Sequence, residues 1–550
     1  MKEAFTPALL SSLRNGYSLS QFRDDAIAGL TVAIVALPLA MALGIASGAS
    51  PDKGLVTAIV AGFLISALGG SRVQIGGPTG AFVVVISGII AQHGYSGLVL
   101  ATAMAGVILI IAGYAGVGRL MKYIPTPVVI GFTTGIAVII ASSQIADFLG
   151  LKTEHVPAEF FGKWAAYINA IGTTNIAAMA IGLGALAIIL ILKKVAPRWP
   201  GYLIALTAAA VAALALKLPV ETVGLRFPDM PTALPAPHIP AFTWQMLVDV
   251  SGPAFTIAFL AGIEALLSAT VADGMTGQRH RPGQELVGQG AANIASALFG
   301  GLPATGAIAR TATNIRAGGK TPMSGIFHAF FLLLMLLIAG PLIAYIPMAA
   351  LAAVLLIVAW GMSEIDRFHA LLRQNAGERL LLLLTFGLTV VVDLTVAIGV
   401  GVTLASLLFM ARMSESAGII GDEVQEEDLT QRADLPEGVE VFRLAGPLFF
   451  GVAGEMLDAL TRIGRTPKVV ILRLSRVPYI DSSGISALSS FVKQAEKAGA
   501  RTLLCEVRPA VASELARARP VFAGADHVGS FHAALEQAAT EVATETAPIQ

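Results

Sequence analysis

A Gly-rich segment that carries an arginine lies between two long apolar runs of this sequence. It extends from Gly300 to Gly319 and reads GGLPATGAIARTATNIRAGG, with Arg310 flanked by Ile308 and Ala309. If the flanking apolar runs span a lipid bilayer, Arg310 lies at membrane depth. Placing an arginine there costs about 3 to 10 kcal/mol, so the side chain needs a binding partner or a function. A short hydrophobic segment that Gly and Pro interrupt is typical of binding sites between membrane helices.

The composition is that of a polytopic membrane protein. Of the 550 residues, 55% are hydrophobic and only 13% are charged, whereas soluble proteins carry about 25% charged residues. Several apolar runs reach the roughly 20 residues that span a bilayer. The net charge of zero gives no support for a nucleic-acid partner. Met1–Arg23 is mixed polar, so no cleavable signal peptide is expected.

The sequence also argues against metal, cofactor and enzymatic chemistry. Its single cysteine, Cys505, excludes an intramolecular disulfide framework and a cysteine zinc cluster. It contains no Ser-His-Asp order, no metal-spaced His/Cys cluster and no phosphate-binding Gly loop followed by Lys. We therefore expect no enzyme, no bound metal, no cofactor and no ATP-driven process.

The hydrophobic pattern predicts an α-helical membrane domain of fourteen segments. Residues 1–25 form a polar arm and residues 26–412 the transmembrane domain, with one set of segments in about 26–216 and another in about 248–411. The third and tenth segments are too short to cross a bilayer alone as helices. The predicted segments are 26–47, 53–69, 78–91, 96–118, 124–147, 174–194, 199–216, 248–272, 284–300, 306–317, 322–346, 347–361, 378–392 and 394–411.

The distribution of Lys and Arg predicts the orientation of these segments. With the N-terminus inside, basic residues concentrate in the inner loops, as in Arg119, Lys193, Arg279, Lys320 and Arg367. This asymmetry is the positive-inside pattern. We expect an inner or plasma membrane protein with both termini in the cytoplasm.

Two faint matches predict an internal repeat. Lys122–Gly131 (KYIPTPVVIG) recurs as Ala344–Ala353 (AYIPMAALAA), and Gly69–Gly80 (GGSRVQIGGPTG) recurs loosely as Gly300–Gly306 (GGLPATG). Two halves of seven segments have opposite orientations because seven is odd, which gives an inverted repeat. The alternative is chance similarity in a chain rich in Gly, Ala and Pro.

The composition changes after residue 412. Residues 413–436 are acidic and polar and predict a linker, and residues 437–545 predict a soluble α/β domain on the cytoplasmic side. Strands that alternate with helices indicate a mostly parallel sheet covered by helices. The predicted strands are Val439–Leu444, Val469–Leu474 and Arg501–Cys505, and the predicted helices are Gly454–Arg465, Ile485–Ala498, Pro509–Ala518 and Ser530–Thr540.

The two short segments together predict an anion site. Pro78, Thr79 and Gly80 open the third segment, and Gly306–Ala309 opens the tenth. Helix N-termini carry partial positive charge and unpaired N–H donors, so two that face each other would bind an anion. Arg310 adds a full positive charge. The alternative is that both stretches are surface loops and that Arg310 extends to water.

Glu264 is a second charge within a predicted membrane segment. It lies in Pro253–Ala269, and Arg310 is the obvious basic partner at similar depth. A carboxylate there must be protonated or paired. One that alternates between these states can carry a proton. The alternative is a static ion pair that joins two helices.

These motifs together resemble the SulP sulfate-permease family of anion transporters. The resemblance rests on the first segment (IAGLTVAIVALPLAMALGIASG), the IGGPTGAF and YIP stretches, and IDSSG at Ile480–Gly484, and it covers nearly the whole chain. It implies a seven-plus-seven inverted repeat and a C-terminal STAS domain. It implies a core made of segments 1–4 and 8–11, a gate made of 5–7 and 12–14, elevator-like movement of the core, and a homodimer.

The resemblance also implies site residues. By position, the anion site of the family falls on Thr79, Gly80, Ala309 and Arg310 beside Pro78, with Leu39 and Leu43 facing it from the first segment. Many members have Gln and an aromatic residue at those two leucine positions, and a sodium-coupled bicarbonate branch has Asp and Thr where Glu264 and Arg310 stand. The departure at Glu264 and Arg310 favours proton over sodium coupling. The PLAMAL stretch is similar to a bacterial branch that takes C4-dicarboxylates such as succinate or fumarate.

The STAS domain resembles anti-sigma-factor antagonists, in which a serine of the DSSG loop is phosphorylated. Ser482 and Ser483 are therefore candidate regulatory residues, and the domain is a candidate for binding a cytoplasmic protein partner. A helix N-terminus suits a phosphate group. The alternative is that Asp481 and Ser482 merely cap the helix.

The leading hypothesis is a proton-coupled secondary active transporter for a small anion, namely a C4-dicarboxylate, sulfate or bicarbonate. Its rivals are an uncoupled exchanger or channel on the same fold, a signalling protein whose membrane part anchors the STAS domain, and a nucleobase carrier. Buried charges argue against a mere anchor, and a neutral base has no need of Arg310.

Overall fold

The structure of the protein is a computed structural model. It describes residues 5–546 except for 15, 120–124, 154–155, 158, 198, 229–230, 232, 240–242, 393, 416–417, 421–434, 450–466 and 518–524. Internal contacts divide the chain into two units, Met1–Val402 and Thr403–Gln550.

Helices occupy all fourteen predicted membrane segments. The first half contains α1 (Ala8–Arg14), α2 (Leu19–Ala46), α3 (Pro51–Leu68), α4 (Val83–Tyr114), α5 (Thr126–Ser143), α6 (Ile145–Leu149), α7 (Phe160–Ala170), α8 (Ile176–Val195), α9 (Gly201–Ala215) and α10 (Val223–Arg226). The second half contains α11 (Trp244–Asp249), α12 (Ser251–Thr276), α13 (Pro282–Leu298), α14 (Ile308–Arg316), α15 (Met323–Ile343), α16 (Met348–Met362), α17 (Ile365–Leu372), α18 (Ala376–Val391) and α19 (Leu394–Glu415). Within the described residues, nine helices are long and apolar enough to cross a membrane.

Two helix boundaries differ from those expected. The first long helix begins at Leu19 rather than at residue 26, because Ser18 and Gln21 form a capping box and Asp25 is fully buried. The third and fourth predicted segments form one run, α4, which is broken where Gly94 takes a φ of 68°. Glycine adopts this left-handed backbone without the steric cost that other residues incur.

The membrane helices pack as two groups. Helices α2, α3, α4, α12, α13, α14 and α15 contact mainly one another, and α5, α6, α8, α9, α16 and α18 form the other group. The first group contains predicted segments 1–4 and 8–11, and the second contains segments from 5–7 and 12–14. The division into core and gate is therefore confirmed for these helices.

A two-stranded antiparallel pair lies within the core. Strand β1 (Gly76–Gly77) pairs with β2 (Thr305–Gly306), with Gly76 opposite Gly306 and Gly77 opposite Thr305. Each strand precedes one of the two short predicted segments. The pair joins the two halves of the inverted repeat. In each half the strand lies in the non-helical stretch between two helices, α3 and α4 for β1 and α13 and α14 for β2.

The second unit contains the α/β domain. Its sheet has the order β3 (Gly418–Ile420), β4 (Val439–Ala445), β5 (Val469–Arg476), β6 (Arg501–Cys505) and β7 (Ala525–Val528). Strands β4 to β7 are parallel and β3 is antiparallel, so the mostly parallel sheet is confirmed. Helices α20 (Ser482–Lys497), α21 (Pro509–Arg517) and α22 (Phe531–Thr546) follow strands. The predicted helix Gly454–Arg465 lies outside the described residues.

This domain has a hydrophobic layer on each side of its sheet. One layer includes Leu472, Phe491 and Leu515, and the other includes Ile471 and Ala534. Residues 471 and 472 point to opposite faces because side chains alternate along a strand. The sheet is thus covered by helices on both faces, as the sequence predicts.

Candidate functional site

The β1–β2 pair brings the two broken segments of the core into contact. The contact extends beyond the strands, because the backbone N–H of Ala307 donates to the Ile75 carbonyl at 2.8 Å. The Ile75 N–H in turn donates to Thr311 Oγ1 at 3.0 Å. Irregular backbone within a membrane is tolerated only where protein buries it or where it lines a cavity. Here each segment satisfies the backbone of the other.

A helical start follows each strand. Gly80–Phe82 forms a 3-10 turn that leads into α4, and α14 begins at Ile308. Thr79 and Ala307 stand at the N-cap positions with extended backbone, and neither makes a side-chain capping hydrogen bond. The first-turn N–H groups of both starts are therefore left without a side-chain cap, as an anion-binding helix end requires.

Arg310 connects the two broken segments. Its side chain lies on the first turn of α14, and the residue is only 3% exposed. Nη2 donates to the Pro78 carbonyl at 2.6 Å and Nη1 to the Gly76 carbonyl at 3.4 Å. Among the described residues Nε has no hydrogen-bond partner. This buried position does not agree with the alternative in which the guanidinium extends to the membrane surface.

Glu264 reaches the same place from α12. Thr79 Oγ1 donates to its Oε2 at 2.7 Å, and the residue is half-buried. The predicted direct pair with Arg310 is not formed within the described residues, because each charge has taken another partner. The guanidinium bonds to backbone carbonyls and the carboxylate to a hydroxyl group. The two charges remain near each other, because their partners Thr79 and Pro78 are adjacent in the chain.

The remaining predicted site residues surround this group. Gly80 is buried, and a Cβ built there would lie 2.5 Å from Met362 Sδ and 3.2 Å from Ile140 Cδ1. Ala309 is exposed at the start of α14. On α2, which packs against α14, Leu39 is half-buried and Leu43 is only 2% exposed within the packed core.

The gate residues at this site could not be predicted from the sequence. Met362 belongs to α16 and Ile140 to α5, so the gate contacts the core at the start of the third segment. Both residues are ordinary members of apolar runs. No local signal distinguishes them from lipid-facing or core residues.

A polar face of α13 was also missed. Glu285, Gln289, Asn293 and Ser296 are all buried along one helix that otherwise packs in the core. Asn293 bonds to both the N–H and the carbonyl of Ala304, and Ser296 Oγ donates to the Leu302 carbonyl at 2.6 Å. Spacings of three and four residues put these side chains on one face. That spacing was readable in the sequence.

In the STAS domain, Asp481 is the N-cap of α20, and its side chain accepts the Gly484 N–H at 2.8 Å. Ser482 is the first helical residue and is exposed, so it is not the capping residue, while Ser483 is half-buried. Both serines lie at the helix N-terminus, where a phosphate would be favoured. Within the described residues, no group of three or more His, Cys, Asp or Glu side chains could hold a metal ion.

Comparison with known proteins identifies both parts of the chain. Residues 22–385 match the model of the sulfate permease family, and residues 431–522 match the STAS domain. The putative sulfate transporter YvdB of Bacillus subtilis is 41% identical over 491 residues, which cover 89% of this chain and 92% of that protein. The bicarbonate transporter BicA of Picosynechococcus is 33% identical, with 88% of each chain covered.

Solved structures agree with these matches. The transmembrane domain of a cyanobacterial BicA aligns with a TM-score of 0.61 at 30% identity and covers 71% of this chain and 98% of that chain. Murine Slc26a9, an anion transporter in the inward-facing state, aligns with a TM-score of 0.86 over 98% of this chain and 94% of that chain. Its 18% identity supports the fold alone. The chain therefore belongs to the sulfate permease family, and it combines that multi-pass membrane domain with a C-terminal STAS domain.

Proposed function

We propose that the protein is a proton-coupled secondary active transporter for a small anion. The observation that carries this proposal is the contact between the two broken segments. It combines two helix starts without side-chain caps and the buried guanidinium of Arg310. Such a group attracts negative charge and gives a neutral solute no comparable advantage.

The site residues Pro78, Thr79, Gly80, Ala309 and Arg310 are proposed to bind the anion. Backbone N–H groups of both helix starts donate to it, and the guanidinium supplies charge-assisted hydrogen bonds. Leu39 and Leu43 are proposed to limit the site on the side of α2. This arrangement suits an anion with several acceptor oxygens.

Proton coupling is proposed to depend on Glu264. Its hydrogen bond from Thr79 connects the carboxylate to a residue of the anion site. An anion that enters beside a charged carboxylate meets like-charge repulsion, which protonation of Glu264 removes. Anion and proton would then bind together and be released together, which is symport.

The proposed substrates are a C4-dicarboxylate such as fumarate or succinate, sulfate, and bicarbonate. The similar proteins named as sulfate and bicarbonate transporters support small oxyanions. The leucines at positions 39 and 43 favour an anion with a carbon backbone, because their surfaces are apolar.

Transport is proposed to occur by an elevator-like movement of the core against the gate. The core carries both broken segments, and the gate contacts them through Met362 and Ile140 at Gly80. Movement of the core as one body would break this apolar contact while the anion site itself keeps its geometry. An apolar interface suits sliding because it has no directional bonds to exchange.

We further propose an inner or plasma membrane location with both termini in the cytoplasm, and a homodimer. The charge asymmetry of the loops supports the orientation. The exposed N-terminus of α20 supports regulation through Ser482 or Ser483 and binding of a cytoplasmic protein. Cysteine accessibility at the C-terminus in sealed vesicles and light scattering of the purified protein would test these points.

Uptake into proteoliposomes tests the proposed function. Purified full-length protein is reconstituted and offered labelled sulfate, bicarbonate, succinate or fumarate, with uracil as a neutral control, with and without an inward proton gradient. We expect saturable uptake of at least one anion, accumulation only with the gradient, and no uptake of uracil. Equal uptake with and without the gradient would favour an uncoupled exchanger or channel, and uptake of uracil alone would favour a nucleobase carrier.

A further inference from the structure

Among the described residues, two fully buried carboxylates of the core remain without a role in the proposed function. Glu285 lies on α13 in the second repeat, and Asp25 lies on α2 in the first, and both are 0% exposed. An ionised carboxylate cannot be buried at this depth unless hydrogen bonds compensate for its lost hydration. The partners of each carboxylate indicate what it does.

Glu285 accepts hydrogen bonds from the loop that leads into the first broken segment. The backbone N–H groups of Gly70 and Ser71 donate to its Oε2 at 2.8 and 3.0 Å. Gln289 Nε2 donates to the other carboxylate oxygen at 2.8 Å. A short run of residues then connects Ser71 to Gly76, where β1 begins.

Close packing makes this contact specific. A Cβ built on Gly70 would clash with the Arg281 carbonyl oxygen, and one built on Gly288 would lie 2.8 Å from the backbone of Gly69. The loop can therefore approach α13 only because glycine stands at these positions. The close packing and the hydrogen bonds to Glu285 together fix the position of the loop along the axis of α13.

Asp25 makes the corresponding contact with the second broken segment. The N–H groups of Lys320 and Thr321 donate to its Oδ1 at 2.7 and 3.2 Å, and Thr321 Oγ1 donates to Oδ2 at 2.6 Å. These residues follow α14, which carries Arg310. Tyr17 adds a hydrogen bond from its hydroxyl group at 3.2 Å.

We propose that Glu285 and Asp25 are positioning residues for anion binding, each of which holds the broken segment of the opposite repeat. Glu285 belongs to the second repeat and holds the segment of the first, and Asp25 does the reverse. Neither touches the anion. Together they fix the two helix starts relative to one another while the core moves, and this inference rests on the proposed function.

Substitution of Glu285 by Gln tests the first contact. The Gln side chain has an NH2 group in place of one carboxylate oxygen, and it lacks the negative charge. It is therefore a weaker acceptor for the two backbone N–H groups. We expect the KM for the transported anion to rise between about tenfold and a hundredfold, since small misplacements of binding groups have effects of that size. The maximal rate and the pH profile of uptake should stay close to those of the unaltered protein.

Gln284→Ala is the matched control on the same turn of α13. Gln284 is buried, and its Nε2 donates to the Leu68 carbonyl at 2.5 Å, at the end of α3 rather than in the loop. This change should lower the melting temperature but leave KM unchanged. An equal rise of KM in both variants would show that lost stability explains the effect, and would overturn the proposal.

Asp25→Asn and Asp24→Asn form the second pair. Asp24 is adjacent in sequence and binds the exposed side chain of Lys320 at 2.8 Å rather than the backbone. We expect a raised KM only for Asp25→Asn. A flattened pH profile in either the Glu285 or the Asp25 variant would assign proton transfer to that carboxylate, and would overturn its positioning role.

If a variant fails to fold, hydrogen exchange of the unaltered protein tests the two contacts instead. The amides of Gly70, Ser71, Lys320 and Thr321 should exchange as slowly as those of the core helices, because carboxylates hold them. Exchange as fast as that of exposed loops would overturn the proposal. If the unaltered protein transports none of the four anions, the proposed function fails, while this measurement still decides whether the two contacts exist.

Discussion

At the scale of single residues, the proposed anion site depends on Arg310. A guanidinium offers five N–H donors in a planar fork. Carbonyl oxygens of Gly76 and Pro78 take two of its nitrogens, and this fixes the plane of the fork against the first broken segment. In the proposed function, this fixed positive charge attracts an anion that binds beside the two helix starts.

Arg310→Ala should weaken anion binding so far that it no longer saturates at ordinary anion concentrations. Charge-assisted hydrogen bonds contribute about 1.5 to 3 kcal/mol each, so the Kd should rise by about a hundredfold or more. Arg310→Lys should recover part of the affinity, because it restores the charge but not the fork. Thermal shifts of the purified protein across an anion titration would measure this. Unchanged affinity in the alanine variant would contradict the role of Arg310.

Glu264→Gln should separate binding from coupling. The Thr79 hydroxyl can still donate to the amide oxygen, so anion affinity should change less than about threefold. Uptake by the unaltered protein should rise as the external pH falls, because protonation of Glu264 removes its repulsion of the anion. In the variant this dependence should disappear. The exposed Asp249→Asn serves as control, and a normal pH profile in Glu264→Gln would assign coupling to another group.

Cys505 should be unreactive in the folded protein. It lies fully buried on β6, and burial raises the pKa of its thiol to about 12. Only the thiolate reacts with maleimides, so at pH 8 the raised pKa leaves almost none of the reactive form. We expect slow labelling in the native state and complete labelling after denaturation. Rapid native labelling would contradict the packing of this strand.

At the scale of elements, the broken segments depend on glycine. Gly77 has a φ of 142°, and a Cβ built there would lie 2.6 Å from Arg310 Nη1. A side chain at this position would meet both an unfavourable backbone conformation and the guanidinium. The pairing of β1 with β2 and the position of Arg310 are therefore linked through one residue.

Gly77→Ala should displace the guanidinium and raise the Kd for the anion by about tenfold or more. Gly88→Ala is the matched control, because Gly88 lies within α4 and a Cβ there meets nothing within 4 Å. The control should retain normal affinity. Equal affinities in both variants would argue against the geometry of the β1–β2 pair.

The sequence was most informative where a local pattern determines an element. Apolar runs predicted the fourteen membrane segments, and interruption by Gly and Pro predicted the two broken ones. It was least informative about side-chain partners. Arg310 bonds to Pro78 and Glu264 to Thr79, at separations of 232 and 185 residues, and only the folded core decides between these partners and a direct ion pair. Strand β7 was missed because ADHV is not an apolar run.

At the scale of the whole molecule, the two units have separate hydrophobic cores. The largest cluster lies among the membrane helices, and two smaller clusters lie on the two faces of the STAS sheet. A domain with its own core can fold alone.

A fragment that begins at residue 418, where β3 starts, should therefore fold without the membrane domain. We expect a cooperative thermal unfolding transition by circular dichroism and a single species in size-exclusion chromatography. A fragment carrying Phe491→Ala, which removes a large buried side chain between β5 and α20, should lose about 3 to 5 kcal/mol of stability. The absence of any cooperative transition in the unaltered fragment would contradict an independent core.

The position of the bound anion is the strongest test of the proposed site. An experimental structure of the full-length protein in lipid, determined with whichever anion it transports, would provide it. We predict density between the start of the third segment and the start of α14, within hydrogen-bond distance of the Gly80 and Ala309 amides and of the Arg310 side chain. Density for the anion at any other place, with that space filled by side chains, would contradict the proposed site.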